Sequence, residues 1–321
     1  MEPLPMTGRS RSTPIGAALV AFTLLLVACS SSAGSTGGGG PSTSSGKAAI
    51  EVVAAENFWG SIAAQIGGTH VHVVSIITNP NTDPHAYEPT AADGRTVANA
   101  QMVIENGIGY DPWVPQLLKS AGGTPTVLDV GDLLGIADGG NPHRWYNPTD
   151  TQTVIAQIIA EYQKLDPADA AYFAQQKTAF DTVALKQYDT LIASIKSTYG
   201  GTPVGASESI FSMLAPALGL NLITPYSFLK AISEGTDVTA ADKETIDAQI
   251  QQHQIKIYVY NSQNVTPDVQ AQLLEVKAAH IPYATITETL QPAGSSYQAW
   301  QTEQLLGIRA ALARAGGVEV R

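Results

Sequence analysis

Short apolar runs alternate with longer amphipathic segments along most of the chain beyond residue 47. The apolar runs are rich in Val and Ile and are typical of buried strands, whereas the segments between them repeat apolar residues at helical spacing. This pattern predicts strands at residues 50–55, 70–78, 102–105, 126–130, 203–206, 222–224, 256–260 and 283–287. It predicts helices at residues 57–66, 91–100, 151–165, 209–218, 240–253, 267–280 and 297–315, with a further helix starting at Trp113. The alternation predicts an α/β protein with mainly parallel sheets.

One amphipathic segment, residues 167–199, is longer than the others and lacks internal helix breakers. Asp166 is a suitable N-cap, Pro167 suits the first helical position, and a Gly-Gly pair follows the segment. A helix of about 33 residues would be ~50 Å long, which is more than one lobe requires. We therefore predict a rigid backbone helix that joins two βα lobes, residues 48–166 and 200–321. A coiled-coil surface is the alternative, but the apolar stripe is too irregular for one.

The N-terminal segment has the features of a bacterial lipoprotein signal peptide over residues 1–28. Arg9 and Arg11 precede an apolar run that ends directly before Cys29 and is shorter than the ~20 residues that span a bilayer. Residues 29–47 combine this cysteine with a Gly/Ser-rich linker whose reach is ~20–25 Å. We expect lipidation of Cys29 to anchor the domain on the extracytoplasmic face of the cell membrane. A plain secretory peptide is the alternative.

The charge balance narrows the choice of partner. The chain has 28 acidic and 17 basic residues, and its formal net charge is -11. This argues against nucleic acid or an anionic membrane surface as the main partner. It suits a cation as the ligand.

Two loops present a histidine directly after a proline, with an aromatic residue two positions later. The first, residues 79–90, carries His85, and the second, residues 141–148, carries His143. The prolines stiffen both loops, which lowers the entropy lost when a ligand is held. Neutral imidazole is a common transition-metal ligand, so the pair suggests two ligands on one ion, with unrelated turn histidines as the alternative.

Carboxylates in the second lobe follow predicted strands at positions where ligands collect in open α/β sheets. Glu208 comes just after the strand at 203–206, and Glu288 just after the strand at 283–287. Glu105 and Asn261 lie at similar strand ends, but Asn261 is a weaker ligand because it is uncharged. Glu208 and Glu288 are therefore the favoured candidates to complete a metal site.

Several of these features together resemble a known family. They are the motifs DPHAYEPT, NPHRWYNP and NGIGYDPW, the lipoprotein signal and the long central helix. They look like the substrate-binding lipoproteins of bacterial ABC importers for zinc, manganese and iron. The resemblance implies two βα lobes joined by a rigid helix, one metal ion in the cleft between them, and delivery to a membrane permease.

The resemblance also implies a set of four ligands. The two histidines of the family correspond to His85 and His143, its third ligand to Glu208 and its fourth to Glu288. The fourth ligand is usually Asp in the family, so Glu288 is a departure and Asn261 stays open as a replacement. Asn147 is another departure, because the family often has Asp there. No His-rich stretch precedes His143, unlike many zinc-specific members.

The expected cargo is one divalent transition metal ion, Zn²⁺ or Mn²⁺, with Fe²⁺ also compatible with the ligands. The missing His-rich stretch and a Glu third ligand favour Mn²⁺ slightly. A monomer would suffice to deliver one ion to a permease. No catalytic activity is expected.

Other residues have predicted places around the ion. We expect Tyr87 and Trp145 to line the cleft, and Asp83 or Glu88 to orient the imidazoles. His70 and His72 share one face of a predicted strand. They are expected to be exposed positions at its entrance, with a second metal site as the less favoured alternative.

Two other functions stay open at this point. A secreted zinc hydrolase would use His/His/Glu plus water, but the chain has neither an HExxH nor an HxxEH motif. A binding protein for a metal chelate, or an adhesin of the same fold, would depend more on the aromatic residues than on four ligands.

Overall fold

The first sheet contains four parallel strands in the order β2-β1-β3-β4. The computed structural model describes residues 49–82, 84 and 87–317, so the predicted signal peptide, Cys29, Asp83 and His85 lie outside the described residues. The central strand β1 is buried at all but one position, as expected when helices cover both faces of a parallel sheet. The strands are β1 (Ile50–Glu56), β2 (Val71–Ile77), β3 (Met102–Glu105) and β4 (Thr126–Asp129).

Five helices belong to the first lobe. Their ends follow ordinary capping chemistry: Thr90 and Asp93 form a capping box at the start of α2, and Asn147 caps α5 ahead of a proline. The helices are α1 (Asn57–Gly67), α2 (Ala91–Ala98), α3 (Trp113–Ala121), α4 (Val130–Leu134) and α5 (Pro148–Leu165). The short α4 was not among the predicted helices, and it begins at the last residue of the strand predicted at residues 126–130.

The connecting segment is helical almost throughout but is not one regular α-helix. A 3₁₀ turn at Pro167–Asp169 leads into α6 (Ala170–Ala179), a π-helical turn follows at Phe180–Ala184, and α7 (Lys186–Tyr199) completes the segment. The Leu185 amide donates to the Phe180 carbonyl at 2.9 Å, which is the five-residue spacing of a π turn. The prediction of one uninterrupted α-helix is therefore wrong at this turn.

The second sheet repeats the topology of the first, with four parallel strands in the order β6-β5-β7-β8. Its strands are β5 (Pro203–Ala206), β6 (Asn221–Leu222), β7 (Ile257–Asn261) and β8 (Tyr283–Ile286). Its helices are α8 (Ile210–Leu214), α9 (Tyr226–Ser233), α10 (Ala240–Gln251), α11 (Pro267–Ala278) and α12 (Tyr297–Ala315). Helix α9 was not predicted, and α8 is shorter than predicted. The two parallel α/β lobes confirm the predicted fold class.

The two lobes share one continuous hydrophobic core. Buried hydrogen bonds cross between them: the Tyr146 hydroxyl donates to the Thr287 carbonyl at 2.6 Å, and the Tyr297 hydroxyl donates to the Trp145 carbonyl at 2.6 Å. Helix α12 also reaches the first lobe, where the Tyr297 amide donates to Ser61 Oγ at 2.9 Å. Along the described part of the chain, no helix is both long and apolar enough to cross a membrane.

Candidate metal centre

Three of the four predicted ligands converge between the two lobes. His143 lies in the loop after α4, Glu208 follows β5 and Glu288 follows β8. One ligand atom from each of these residues lies within 4.8 Å of the other two, and His143 Nε2 is 3.7 Å from Glu208 Oε1. His143 and Glu208 are each only 1% exposed. Strand ends of the second sheet thus supply the two carboxylates, as expected for a parallel α/β lobe, and a loop of the first lobe supplies the histidine.

The orientation of the His143 ring is set by Asn141, two residues earlier in the NPH motif. The Asn141 amide nitrogen donates to the Ser209 carbonyl at 2.8 Å, so its Oδ1 is the acceptor that lies 2.9 Å from His143 Nδ1. The proton of the neutral ring therefore belongs on Nδ1, and the Nε2 lone pair points toward Glu208. That is the tautomer that binds a metal through Nε2.

Asn261 holds the two carboxylates together. Its side-chain nitrogen donates to Glu208 Oε2 at 2.8 Å and to Glu288 Oε1 at 2.9 Å. Its side-chain oxygen, Oδ1, accepts from the backbone N–H of Gln263 at 2.9 Å. Carboxylate oxygens are acceptors, so the nitrogen and not the oxygen must face them. In this arrangement Asn261 positions the two carboxylates and turns its amide nitrogen, not its oxygen, toward them.

Further hydrogen bonds fix each carboxylate. The Tyr110 hydroxyl from the first lobe donates to Glu288 Oε2 at 3.0 Å, and the Glu288 amide donates to Gln263 Oε1 at 2.6 Å. The Ser233 hydroxyl donates to Glu208 Oε1 at 3.0 Å. Neither Ser233 nor Tyr110 was predicted from the sequence to contact these carboxylates.

The two carboxylates are electrostatically suited to a cation. Burial, and then the nearby charge of Glu288, raise the pKa of Glu208 above its usual range. Two ionised carboxylates this close are costly in a site shielded from water. A divalent ion would neutralise both, so the site is preorganised for positive charge.

The loop that carries His85 borders the same cleft. His85 itself lies outside the described residues, but Pro80, Thr82 and Pro84 line a cleft of about 950 Å³ together with Glu288. The place of His85 as the fourth ligand therefore stays a prediction.

The predicted aromatic walls of the cleft are wrong. Trp145 is fully buried beneath the site, where its ring stacks on Phe58 at 3.8 Å and meets the His143 ring edge-on at 5.3 Å. Tyr87 packs on Trp113 and donates to Asp93. Both rings find buried partners in their own lobe, and this packing keeps them out of the described lining of the cleft.

The predicted role of Asp83 or Glu88 toward the His85 imidazole stays a prediction, because His85 lies outside the described residues. Glu88 is exposed, and His143 Nδ1 lies 2.9 Å from Asn141 Oδ1 and 3.5 Å from the Ser209 hydroxyl. Asp83 lies outside the described residues. The contact between Asn141 and His143 could have been predicted from the sequence, because Asn side chains commonly contact the backbone two residues later.

His70 and His72 do not converge on one another. His70 lies in a 3₁₀ turn before β2, and its Nδ1 is 2.9 Å from Asp169 Oδ2. His72 lies on β2, and its Nδ1 is 2.7 Å from Glu51 Oε2. The break between turn and strand gives each histidine its own acidic partner.

Known metal-binding proteins resemble this chain. The iron-binding protein YfeA of Yersinia pestis is 29% identical over 184 residues, covering 53% of this chain and 57% of that protein. The high-affinity zinc uptake system protein ZnuA of Bacillus subtilis is 21% identical, covering 58% of this chain and 63% of that protein. The matched region thus spans less than two thirds of the length of these relatives.

A solved structure shares the fold. The periplasmic zinc-binding protein TroA from Treponema pallidum superposes with a TM-score of 0.67 at 20% identity, covering 82% of this chain and 99% of that chain. At this identity the likeness concerns the fold alone. The family described as zinc-uptake complex component A, periplasmic (ZnuA), matches residues 52–311 of the sequence, and the chain therefore belongs to that family.

Proposed function

We propose that this protein captures one divalent transition metal ion in the cleft between its lobes and delivers it to the permease of an ABC importer. The observation that carries the proposal is the convergence of His143, Glu208 and Glu288, which come from both lobes and from widely separated parts of the chain. We assign His85 as the fourth ligand, because its loop borders the same cleft.

The ligand set suits Zn²⁺, Mn²⁺ or Fe²⁺. Two imidazoles and two carboxylates combine nitrogen and oxygen ligands, which all three ions accept. Zinc exceeds manganese in intrinsic affinity for such a set, so the ion bound in the test tube need not be the one transported. The two carboxylate charges balance one divalent ion.

The burial of the ligands favours a bare ion over a chelate. His143 and Glu208 are almost wholly enclosed, so a large organic ligand would have little access to them. The relatives carry the names of metal-binding transport proteins, and none of those compared gives support to a hydrolase. Four protein ligands would also occupy the position that a catalytic zinc keeps open for water.

The location of the protein completes the proposal. Lipidation of Cys29 would hold the domain at the extracytoplasmic face of the membrane through the Gly/Ser linker. Manganese-binding lipoprotein MntA of Halalkalibacterium halodurans is 24% identical over 136 residues. A monomer is sufficient for one ion per delivery.

The test is the metal content of residues 47–321, which form one compact unit, after expression in a medium with several metals. Elemental mass spectrometry should find about one equivalent of metal more in the wild type than in each of the His143→Ala, Glu208→Gln and His85→Ala variants. Glu234→Gln is the matched control, since Glu234 lines the same cleft but belongs to no ligand cluster among the described residues. Equal metal contents in wild type and Glu208→Gln would refute the site, and an unchanged His85→Ala would remove His85 from it.

A further inference from the structure

We propose that His70, Asp166 and Asp169 form a second binding site for a divalent transition metal ion, apart from the cleft. One ligand atom from each residue lies within 4.8 Å of the other two. His70 directly precedes β2, whereas the cleft lies beyond the other end of the sheet. The seven residues of β2 separate the two regions by roughly 20 Å at ~3.3 Å per residue. The proposal goes beyond the transport function and does not depend on it.

The three ligands come from two segments of the chain that the fold brings together. Asp166 follows the last turn of α5, and Asp169 lies in the 3₁₀ turn that opens the connecting segment. The Asp169 amide donates to the Asp166 carbonyl at 3.2 Å, which holds the two aspartates in one turn. An ion at this position would link the start of β2 to the start of the connecting segment.

Aromatic packing fixes the ring of His70. The ring stacks on Tyr172 with centroids 3.9 Å apart and planes 17° apart, and it meets the edge of Phe173 at 6.1 Å. The Tyr172 hydroxyl in turn accepts from the Thr69 amide at 3.0 Å. The imidazole therefore loses little freedom when it binds an ion, which favours binding.

Charge and exposure also suit a divalent ion. Two carboxylates and a neutral imidazole would balance a charge of +2, and one nitrogen with two oxygens is a set that Zn²⁺ and Mn²⁺ accept. Asp166 is only 4% exposed, whereas the side chains of His70 and Asp169 are 32% and 28% exposed. The site thus combines a buried carboxylate with two ligands that solvent can reach, and water can complete the coordination.

The competing interpretation is an ion pair between protonated His70 and Asp169. The separation of 2.9 Å between Nδ1 and Oδ2 allows it. His72 offers a matched comparison, because its Nδ1 makes a similar contact with Glu51 at 2.7 Å. His72 belongs to no three-residue ligand cluster among the described residues, so it should bind no ion tightly.

The experiment measures Zn²⁺ binding by equilibrium dialysis of the purified full-length protein, and repeats it with Mn²⁺. The cleft is first inactivated by combining His143→Ala with Glu208→Gln, so that any Zn²⁺ still bound is bound at the second site. This double variant should keep one equivalent of Zn²⁺, and Zn²⁺ should raise its melting temperature. Adding His70→Gln or Asp169→Asn should remove both effects, whereas adding His72→Gln should leave both unchanged.

The outcomes separate the two proposals. If the double variant binds no Zn²⁺, or if His70→Gln leaves binding unchanged, His70 and Asp169 form an ion pair only and the second site is refuted. Asp169→Asn is included because it leaves the stacking of His70 on Tyr172 in place, so that a loss of Zn²⁺ binding in this variant cannot be attributed to misfolding around His70. The amount of Zn²⁺ bound by the wild type minus the amount bound by the double variant is the amount bound in the cleft. If the transport proposal fails, the two proteins will bind equal amounts of Zn²⁺, and this result is independent of the second site.

Discussion

Tyr110 in the first lobe donates a hydrogen bond to Glu288, a proposed metal ligand in the second lobe. Its hydroxyl donates to Glu288 Oε2 at 3.0 Å, and its ring is fully buried beside Trp145. Burial, and then the charge of Glu288, raise the pKa of the Tyr110 hydroxyl well above its usual value, so it stays a protonated donor at neutral pH. Such a bond holds the carboxylate in place before the ion arrives.

Removing this hydroxyl should weaken metal binding. In Tyr110→Phe, Glu288 loses a fixed donor, and we expect the dissociation constant to rise by about 10–100-fold, as for other residues that orient metal ligands. Competition titration with a chelating dye measures the change. Tyr87→Phe is the matched control, because the Tyr87 hydroxyl donates to Asp93 within the first lobe. Equal affinities for Tyr110→Phe and the wild type would show that Glu288 does not depend on Tyr110.

At the scale of elements, the sequence predicts features that depend on local pattern. The strands were found because short runs rich in Val and Ile are distinctive even where, as in β2 and β4, they are only partly buried. Glu208 and Glu288 were singled out because they come just after strands. Helices α4 and α9 were not predicted: α4 has only five residues, and α9 is as short as the predicted α2 but lacks the capping box with which α2 begins. The roles of Tyr110 and Asn261 could not be predicted, because their partners come from distant parts of the chain.

The π-helical turn explains an irregularity in the apolar stripe of the connecting segment. Phe173 and Phe180 are seven residues apart, as two helical turns require, but the next buried residue, Leu185, comes five residues after Phe180. A regular α-helix would turn Leu185 away from the core, and the π turn absorbs the extra residue. The segment thus keeps one buried face on both sides of the turn.

Deleting one residue from the π turn should therefore be tolerated. Val183 is 73% exposed, and its removal would leave Phe180 and Leu185 four residues apart on a regular α-helix. We expect a melting temperature close to that of the wild type. Deleting exposed Ala193 from α7 is the control, because it rotates Ile195 by about 100° out of the core. That should cost about 2–5 kcal/mol. A Val183 deletion as damaging as the control would contradict this account.

At the scale of the whole molecule, buried carboxyl groups make the stability of the metal-free protein depend on pH. Glu56 is fully buried beside Asp111, and burial, then the nearby charge of Asp111, raise its pKa well above the usual value. Burial, and then the charges of Asp111 and Asp129, raise the pKa of Glu105 to about 8. Between pH ~4.5 and 8 the folded state holds protons that the unfolded chain releases.

The free energy of unfolding should therefore fall as pH rises through this window. Chemical denaturation in the presence of a chelator at pH 5, 6, 7 and 8 measures it, and Glu105→Gln should reduce the fall by about 2–4 kcal/mol. Glu244→Gln is the control, since Glu244 is exposed. A stability that rises with pH, or an unchanged slope in Glu105→Gln, would contradict the assignment.

The shared core of the two lobes opposes a wide hinge motion. Opening the lobes would break the bonds from Tyr146 to Thr287 and from Tyr297 to Trp145, and each buried group left without a partner costs about 1–3 kcal/mol. Helix α12 adds a second bridge beside the connecting segment, through its contact with Ser61. Metal loading should therefore change the His85 loop and leave the lobes in place.

Small-angle scattering of metal-free and metal-loaded protein should accordingly give superimposable curves. Hydrogen exchange should slow on metal loading in peptides that cover residues 79–90, because that loop would gain the bond from His85. Replacing both Tyr146 and Tyr297 by Phe removes the two crossing bonds while keeping the rings, so any difference between the two curves should be larger in this variant. A marked compaction of the wild type on metal loading would mean that the lobes move despite their shared core, and that the crossing bonds form only in the closed state.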